Sequence, residues 1–403
     1  MRDRLLPAPP KLLRQGPLRA RAFPSRLHDE RTAALLGRAL GIAFATCFFT
    51  GLISHGFQVG SGALNFAPTL PVWGYRLNQG IHVATGLAAI PLLLAKLWTV
   101  YPRLWQWPPL RSIGHAGERL SLGVLVAGAL FQLLTGLVNI TQWYPFGFAF
   151  KDTHYWVSWV TIGALLVHLA YKAPAIARGL RLRDAEPPRQ LADEDAPPEP
   201  DPEPQAAGLT RRGFLTAVGA GVGLVTITTV GQTLRPAERL AVLAPRLPSV
   251  GPQGFPVNRT AQAAGVVERA RHPAYALQVV GPRPYELRLD ELAALPSYEV
   301  ELPITCVEGW SATARWRGVR IRDLLDRAGV PEDAAVRVVS MEDGPYAVSV
   351  LAAPHARHEL TLLALGVNGE PLALDHGYPA RLIAPNRPGV LQTKWVNRLE
   401  VVA

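Results

Sequence analysis

The sequence predicts a multi-domain chain: an all-α four-helix transmembrane bundle with a fifth membrane span, followed by a soluble α+β domain. Three observations predict it. Apolar residues make up 49% of the 403 positions and charged ones only 18%, against roughly 25% in an ordinary soluble domain. The apolar residues cluster in the first half, in stretches close to the about 20 residues that a bilayer requires. Beyond about Arg235 the composition turns soluble, and short β-like runs alternate with turns. A disordered chain is excluded by the apolar content. A disulfide scaffold is excluded because Cys47 and Cys306 are the only cysteines.

The expected spans run from about Thr32 to Ser54, Gln79 to Val100, Leu120 to Ile140 and His154 to Tyr171. Soluble core helices are rarely so long or so free of charge. A fifth stretch, Phe214 to Thr233, is weakly hydrophobic and rich in Gly and Thr. Leu209-Thr210-Arg211-Arg212-Gly213-Phe214-Leu215 stands directly before it and resembles a twin-arginine export signal, which is an address for folded, often cofactor-loaded domains. The alternative is an ordinary membrane helix with basic cytoplasmic flank residues.

Loop charges set the expected orientation. Residues 1–38 hold nine Arg/Lys against three acids, and Arg103, Arg111 and Arg119 follow the second span. The loops at about 55–78 and 141–153 carry only Arg76 and Lys151. The N-terminus is therefore expected in the cytoplasm of a multi-pass cell-membrane protein, with the twin arginines on the same side. Everything after about Leu234 is then extracytoplasmic. Residues 184–205 contain seven prolines and eight acids, which reads as a flexible linker. The expected divisions are 1–31, 32–175, 176–210, 211–234 and 235–403. The net charge of +10 is explained by these topology signals, and no nucleic-acid partner is expected.

Ionisable side chains within a span usually mark function. His154 and His168 are 14 residues apart, about 21 Å of rise and about 1400° of rotation, so one helix face carries both. His82 opens the second span, and Gly86 four residues on leaves room for a flat macrocycle. This arrangement resembles the di-haem four-helix cytochrome b subunits of membrane-bound dehydrogenases over about residues 35–172. The resemblance implies haem b, one or two groups: His82 and His154 on the iron of an outer haem, His168 on an inner one. Its second inner ligand is not evident, because Gly37 stands where a histidine is expected. His28 lies about two turns too early, and His115 is the alternative. His55 is left to approach the outer haem or to handle protons at a quinone. For every one of these histidines the plain alternative is an interfacial or hydrogen-bonded helix residue.

In the last part, strands are expected at Ala276–Val280, Glu299–Thr305 and Val336–Val339, and a helix at Ile321–Ala328. About 165 residues suffice to bury a core. Cys306 has no disulfide partner there, so it is a buried small hydrophobe or a reactive thiolate. It sits in Leu302-Pro303-Ile304-Thr305-Cys306-Val307-Glu308-Gly309-Trp310-Ser311. A second block runs Val367-Asn368-Gly369-Glu370-Pro371, then Leu374-Asp375-His376-Gly377-Tyr378-Pro379-Ala380-Arg381, then Gln392-Thr393-Lys394-Trp395. Together they resemble the sulfite oxidase superfamily, which includes the periplasmic protein-methionine-sulfoxide reductase subunit, over about residues 255–401.

The resemblance implies a sulfite-oxidase-like α+β fold holding Mo-molybdopterin, with Cys306 as thiolate ligand to molybdenum. His376, Arg381, Gln392, Thr393 and Lys394 would hold the pterin pyrophosphate end, cations and N–H groups being suited to phosphate. Asn258 and Arg259, within Phe255-Pro256-Val257-Asn258-Arg259-Thr260, fall where a further pterin-holding stretch precedes the cysteine, and Arg259 is also a candidate catalytic group. Ser340–Tyr346 is expected to line the pocket, and Arg387 the anion route. Two family features are missing after the Lys-Trp motif: a segment with an active-site tyrosine, and an immunoglobulin-like dimerisation domain. Both absences weaken sulfite as substrate.

The two halves together predict a membrane-bound molybdopterin oxidoreductase performing oxygen-atom transfer, passing electrons from quinol through b haem to molybdenum and so reducing an S-oxide or N-oxide. Its expected partners are membrane quinone and a small-molecule or protein sulfoxide, with an external electron carrier as a further candidate. Two alternatives stand beside this: a sulfite-type dehydrogenase running the opposite way, and a metal-free binding or assembly module of the same fold.

Overall fold

The computed structural model describes residues 11–14, 18, 25–58, 67–104, 112–181, 209–230, 239–244 and 246–402. The linker expected at 184–205 lies outside them. A one-turn helix α1 (Lys11–Arg14) precedes five long ones: α2 (Glu30–Gln58), α3 (Gly74–Leu104), α4 (Ile113–Ile140), α5 (Phe150–Arg181) and α6 (Arg211–Val230). Among the described residues these five are long and apolar enough to cross a membrane. Each of the first four is longer than its apolar stretch, because a helix that closes its own hydrogen bonds continues into the polar interface. The backbone also tolerates Pro91, Pro102 and Pro174 inside helices, as membrane helices do. Large apolar side chains face outward, among them Phe49, Leu134, Trp156 and Leu166, each more than 60% exposed, as expected of surfaces that meet lipid.

The chain divides into two compact units. One joins residues 1–49 to 84–226, and the other joins 50–83 to 227–403. In the first unit the helices pack through small residues. Ala43, Ala89 and Ala129 form a buried cluster with Leu40 and Leu93. A Cβ on Gly179 of α5 would stand 2.7 Å from the Glu30 carbonyl of α2. At the start of α2 the Asp29 carboxylate accepts from the Thr32 N–H at 3.0 Å, an N-cap. The Arg211 Nη2 of α6 stands 3.3 Å from the same oxygen. Lys172 of α5 and Glu118 of α4 form an ion pair.

The second unit carries the sheets. After α7 (Val267–Arg271) come β1 (Ala276–Val280), β2 (Tyr285–Arg288), α8 (Leu289–Ala294), β3 (Tyr298–Thr305), β4 (Ser311–Arg320) and α9 (Ile321–Arg327). They are followed by β5 (Val336–Ser340), β6 (Val348–Leu351), α10 (Ala353–Ala356), β7 (Leu362–Val367), β8 (Glu370–Pro371), β9 (Arg381–Ile383) and β10 (Val396–Val401). The strands and helix expected from the sequence are all present. One sheet has the order β2-β1-β10-β5-β6, and the other β3-β4-β7-β8 with β9 on β7. β1 and β10 are parallel, which brings the end of the chain beside the first strand. Strand burial alternates from Ala312 to Gly318 in β4, the period-two pattern of a sheet with one covered face. Leu277, Leu324, Val338 and Leu399 anchor one buried cluster. Leu302, Trp316, Leu362 and Cys306 belong to a second.

Candidate functional site

Cys306 stands at the tip of the β3–β4 hairpin. Thr305 and Ser311 close the ladder, and their hydroxyls lie 2.9 Å apart. Between them the Cys306 N–H donates to the Trp310 carbonyl at 2.9 Å, and the Gly309 N–H to the Cys306 carbonyl at 3.1 Å. Gly309 takes φ +102°, a conformation that a side chain resists. The turn leaves Cys306 only 4% exposed.

Asn258 reaches the sulfur. Its Nδ2 lies 2.7 Å from Sγ and donates to Glu308 Oε1 at 3.2 Å. Its Oδ1 accepts from Trp310 Nε1 at 3.2 Å, while Arg246 Nε stands 3.8 Å from the Glu308 carboxylate. Burial pushes the Cys306 thiol far above its usual range, and the Glu308 charge adds to the push. The sulfur therefore stays protonated until a cation displaces the proton. Next in the chain, Arg259 Nε donates to the buried Glu342 carboxylate at 2.8 Å, and its guanidinium lies 5.8 Å from the Tyr346 ring centre.

The second half of the site is a buried cationic cradle. Lys394 Nζ donates to the Arg259 carbonyl at 2.8 Å and to the Asp375 carbonyl at 2.7 Å. Burial, with Arg381 nearby, brings its pKa down to about 7. Arg381 is 2% exposed, and burial lowers it to about 9. Its Nη1 donates to the His376 carbonyl at 3.1 Å, and its buried Nε has no hydrogen-bond partner among the described residues. Neither cation is ion-paired among the described residues. A buried guanidinium without a carboxylate calls for another anion, and a pyrophosphate supplies one. His376 stacks on Phe255 at 3.8 Å, and its Nε2 bonds the Pro252 carbonyl at 2.7 Å. A carbonyl only accepts, so Nε2 carries the proton, and burial holds the ring neutral with a pKa of about 4. Thiol and cradle fit a molybdopterin.

Residues 264–403 match the family described as the oxidoreductase molybdopterin binding domain. The last part of the chain is a sulfite-oxidase-like molybdopterin-binding domain. Over 127 residues it is 35% identical to an uncharacterized oxidoreductase, YuiH, of Bacillus subtilis, an alignment covering 31% of this chain and 63% of that one. Over 157 residues it is 31% identical to the mitochondrial sulfite oxidase of Homo sapiens, covering 32% of this chain and 29% of that one. The sulfane dehydrogenase SoxCD of Paracoccus pantotrophus is a solved structure with 24% identity and a TM-score of 0.30 over 32% of this chain and 38% of its own. The chain thus spans less than two thirds of the length of each of these relatives.

Within the molybdopterin-binding domain the residues expected from the sequence divide in two. Cys306, Asn258, Arg259, Lys394, Arg381 and His376 converge through the contacts above. Gln392 and Thr393 are spent on the fold. The Gln392 carboxamide bonds both the N–H and the carbonyl of Ala384 at 2.8 Å, and the Thr393 hydroxyl lies 2.6 Å from that of Ser349. Arg387 likewise donates to the Val350 carbonyl at 2.8 Å and the Leu391 carbonyl at 3.1 Å, so it supports the chain around it. Two acids are prominent: Glu308, which the sequence left without a role and which holds Asn258, and Glu342, within the Ser340–Tyr346 segment expected to line the pocket, which holds Arg259. The signal for Glu308 was an acid two residues after a cysteine in a largely apolar segment.

The membrane histidines show a repeated setting. His82 Nδ1 lies 3.2 Å from the Thr50 hydroxyl, and a Cβ on Gly51 would stand 3.1 Å from its ring. His154 Nδ1 lies 3.1 Å from the Thr135 hydroxyl, and a Cβ on Gly136 would stand 3.8 Å from its ring. A Thr-Gly pair on another helix faces each ring. A hydroxyl on Nδ1 orients the imidazole, a setting that fits an axial haem ligand. His168 has a different setting, its Nδ1 buried without a hydrogen-bond partner among the described residues. His28 is buried just before α2, its Nδ1 3.0 Å from the Thr99 carbonyl. His115 is in the first turn of α4, where Ser112 caps its N–H, and His55 is in the last turn of α2. A Cβ on Gly86 would meet Cys47 Sγ at 3.8 Å, an ordinary contact, so helix packing does not require the missing side chain there.

Proposed function

We infer that this molybdopterin oxidoreductase works in a membrane, taking electrons from quinol through b haem to a molybdenum centre and there reducing an S-oxide or N-oxide. One observation carries the reading. A single chain combines a buried thiol beside an unpaired cationic cradle with His82 and His154, each steered by a threonine, on helices long enough to cross a bilayer. Haem moves single electrons and molybdenum moves pairs, so their union in one chain suits a relay between a lipid-soluble carrier and a soluble substrate. In this reading His82, His154 and His168 are haem ligands.

Bound molybdenum would supply two-electron oxygen-atom transfer, R2S=O + 2 e− + 2 H+ → R2S + H2O. The chain's own residues do the rest. Cys306 would hold the metal, and the Asn258 amide, 2.7 Å from the sulfur, would temper its charge. Lys394 and Arg381 would hold the pyrophosphate. Glu342 fixes Arg259 at 2.8 Å, so that its guanidinium, about two-fifths exposed, can meet the oxygen of the substrate dipole. The buried Glu308 keeps Asn258 in place rather than facing substrate.

The test uses detergent-purified full-length chain with molybdenum, pterin and haem assays. Reduced dye plus sulfoxide is compared with sulfite plus oxidised dye. Turnover in the first assay supports the reading, and turnover in the second alone reverses the direction of flow. Cys306→Ser is expected to abolish turnover while leaving the haem absorbance intact. A wild-type chain without molybdenum or pterin would make it a binding module.

A further inference from the structure

The Cys306 turn is held from outside its own domain sequence. Residues 67–83 belong to the same compact unit as the sheets, and buried polar contacts join them to the turn. Gln79, on α3 and 4% exposed, donates from Nε2 to the Val307 carbonyl at 2.6 Å. Its Oε1 accepts from the Ser54 hydroxyl at 2.8 Å and from the Tyr75 hydroxyl at 3.4 Å. The side chain is therefore fixed at both ends, and the peptide it grips follows Cys306 directly. Val83, one turn further along α3, also packs on the turn: a Cβ on Gly309 would stand 3.1 Å from it.

A second buried carboxamide locks the same helix end from the opposite direction. Asn386 is 3% exposed and sits at φ +50°, a backbone conformation that asparagine tolerates. Its Oδ1 accepts from the Tyr75 N–H at 2.6 Å, one of the free donors of the first turn of α3. Its Nδ2 donates to the Pro68 carbonyl at 2.7 Å. A Cβ on Gly74 would come within 2.9 Å of Asn386 Oδ1, so glycine there is what permits the approach. The loop bearing Asn386 is tied in turn to the hairpin by the Thr305–Pro388 bridge. Buried polar groups of this kind fix one geometry, because any slip leaves a donor or acceptor unpaired.

We propose that the N-terminal end of α3 is part of the cofactor site: Gln79, backed by Asn386, is a positioning residue that holds the Cys306–Gly309 turn where its sulfur meets the metal. This rests on Cys306 as the metal ligand. A leucine at 79 has nearly the same volume but no donor, so the turn loses its anchor while the helix keeps its apolar packing. Gly74→Ala displaces the Asn386 carboxamide and perturbs the same joint from the helix side.

The experiment compares full-length wild type, Gln79→Leu and Gly74→Ala, purified in detergent, by molybdenum and pterin content, by thiolate-to-molybdenum charge-transfer absorption and by dye-coupled turnover. Gln79→Leu is expected to load molybdenum within about twofold of wild type, to shift the charge-transfer band and to lose about tenfold in kcat with KM nearly unchanged. Gly74→Ala is expected to shift the band in the same direction by less. Loaded variants whose band and kcat equal the wild type's overturn the proposal. If Gln79→Leu does not accumulate, Gly74→Ala decides alone, and an unshifted band overturns it. A wild type that binds molybdenum without any such band removes Cys306 as ligand, and that failure is separate from a failure of the joint.

Discussion

Lys394 carries a charge that the fold by itself disfavours. In the unfolded chain its amine holds a proton up to about pH 10.4, whereas burial and Arg381 bring it to about 7 in the fold. Between these values the unfolded chain binds more protons, so the stability of cofactor-free chain rises with pH across that window. A bound phosphate restores the ammonium and cancels the slope. Cofactor-free chain is therefore expected to melt several degrees higher at pH 9 than at pH 7, while loaded chain shows little change and Lys394→Met abolishes the difference. Equal slopes with and without cofactor would contradict a phosphate at Lys394. The same residue shows what sequence can convey. Its place in a Gln-Thr-Lys-Trp run marked it, but the run could not show that Lys394 alone of the first three points into the cradle. Gln392 and Thr393 close on Ala384 and Ser349 instead, a choice made by tertiary neighbours.

At the scale of elements, the long helices were legible because lipid imposes length and composition together. Their partnerships were not. Nothing in the spacing of α2 or α4 signals that Thr50-Gly51 faces His82 and Thr135-Gly136 faces His154, since a Thr-Gly pair is unremarkable until a ring lies against it. The hydroxyl orients the ring, and at Gly51 the missing side chain makes room for a ring that a Cβ would meet at 3.1 Å. Partners of this kind commonly change metal affinity about 10–100-fold. Thr50→Val and Thr135→Val are each expected to lower haem content in purified chain by about tenfold at limiting haem supply, read by the reduced-minus-oxidised b-type band against protein. Full haem occupancy in both variants would show that these hydroxyls serve helix packing, and would leave His82 and His154 without the support expected of axial ligands.

Across the whole molecule, the contacts that matter most are the least legible. Gln79 and Val307 are separated by 228 positions, and Tyr75 and Asn386 by 311. Neither pair lies in a motif, so only the folded chain reveals them. Helix periodicity places Gln79 about 4.5 Å before His82 along α3, so one element would carry both a haem ligand and the anchor of the thiol turn.

The twin arginines illustrate the opposite case, a legible motif with two meanings. In the fold Arg211 is structural: Nε donates to the Thr32 hydroxyl at 3.2 Å and Nη2 to Asp29 Oδ1 at 3.3 Å, and Asp29 is 1% exposed. Arg212 is exposed. An export signal requires both guanidinium groups, whereas the folded bundle requires only the first. Arg212→Lys therefore separates the roles, because it keeps the charge and leaves the Asp29 contact untouched. With the C-terminal domain followed by protease access from the outer face, Arg212→Lys is expected to reduce the exported fraction several-fold while the helices still insert. Undiminished export would make Arg211-Arg212 a basic flank that anchors α6, and the domain would then cross by the general route as an unfolded chain, before cofactor is bound.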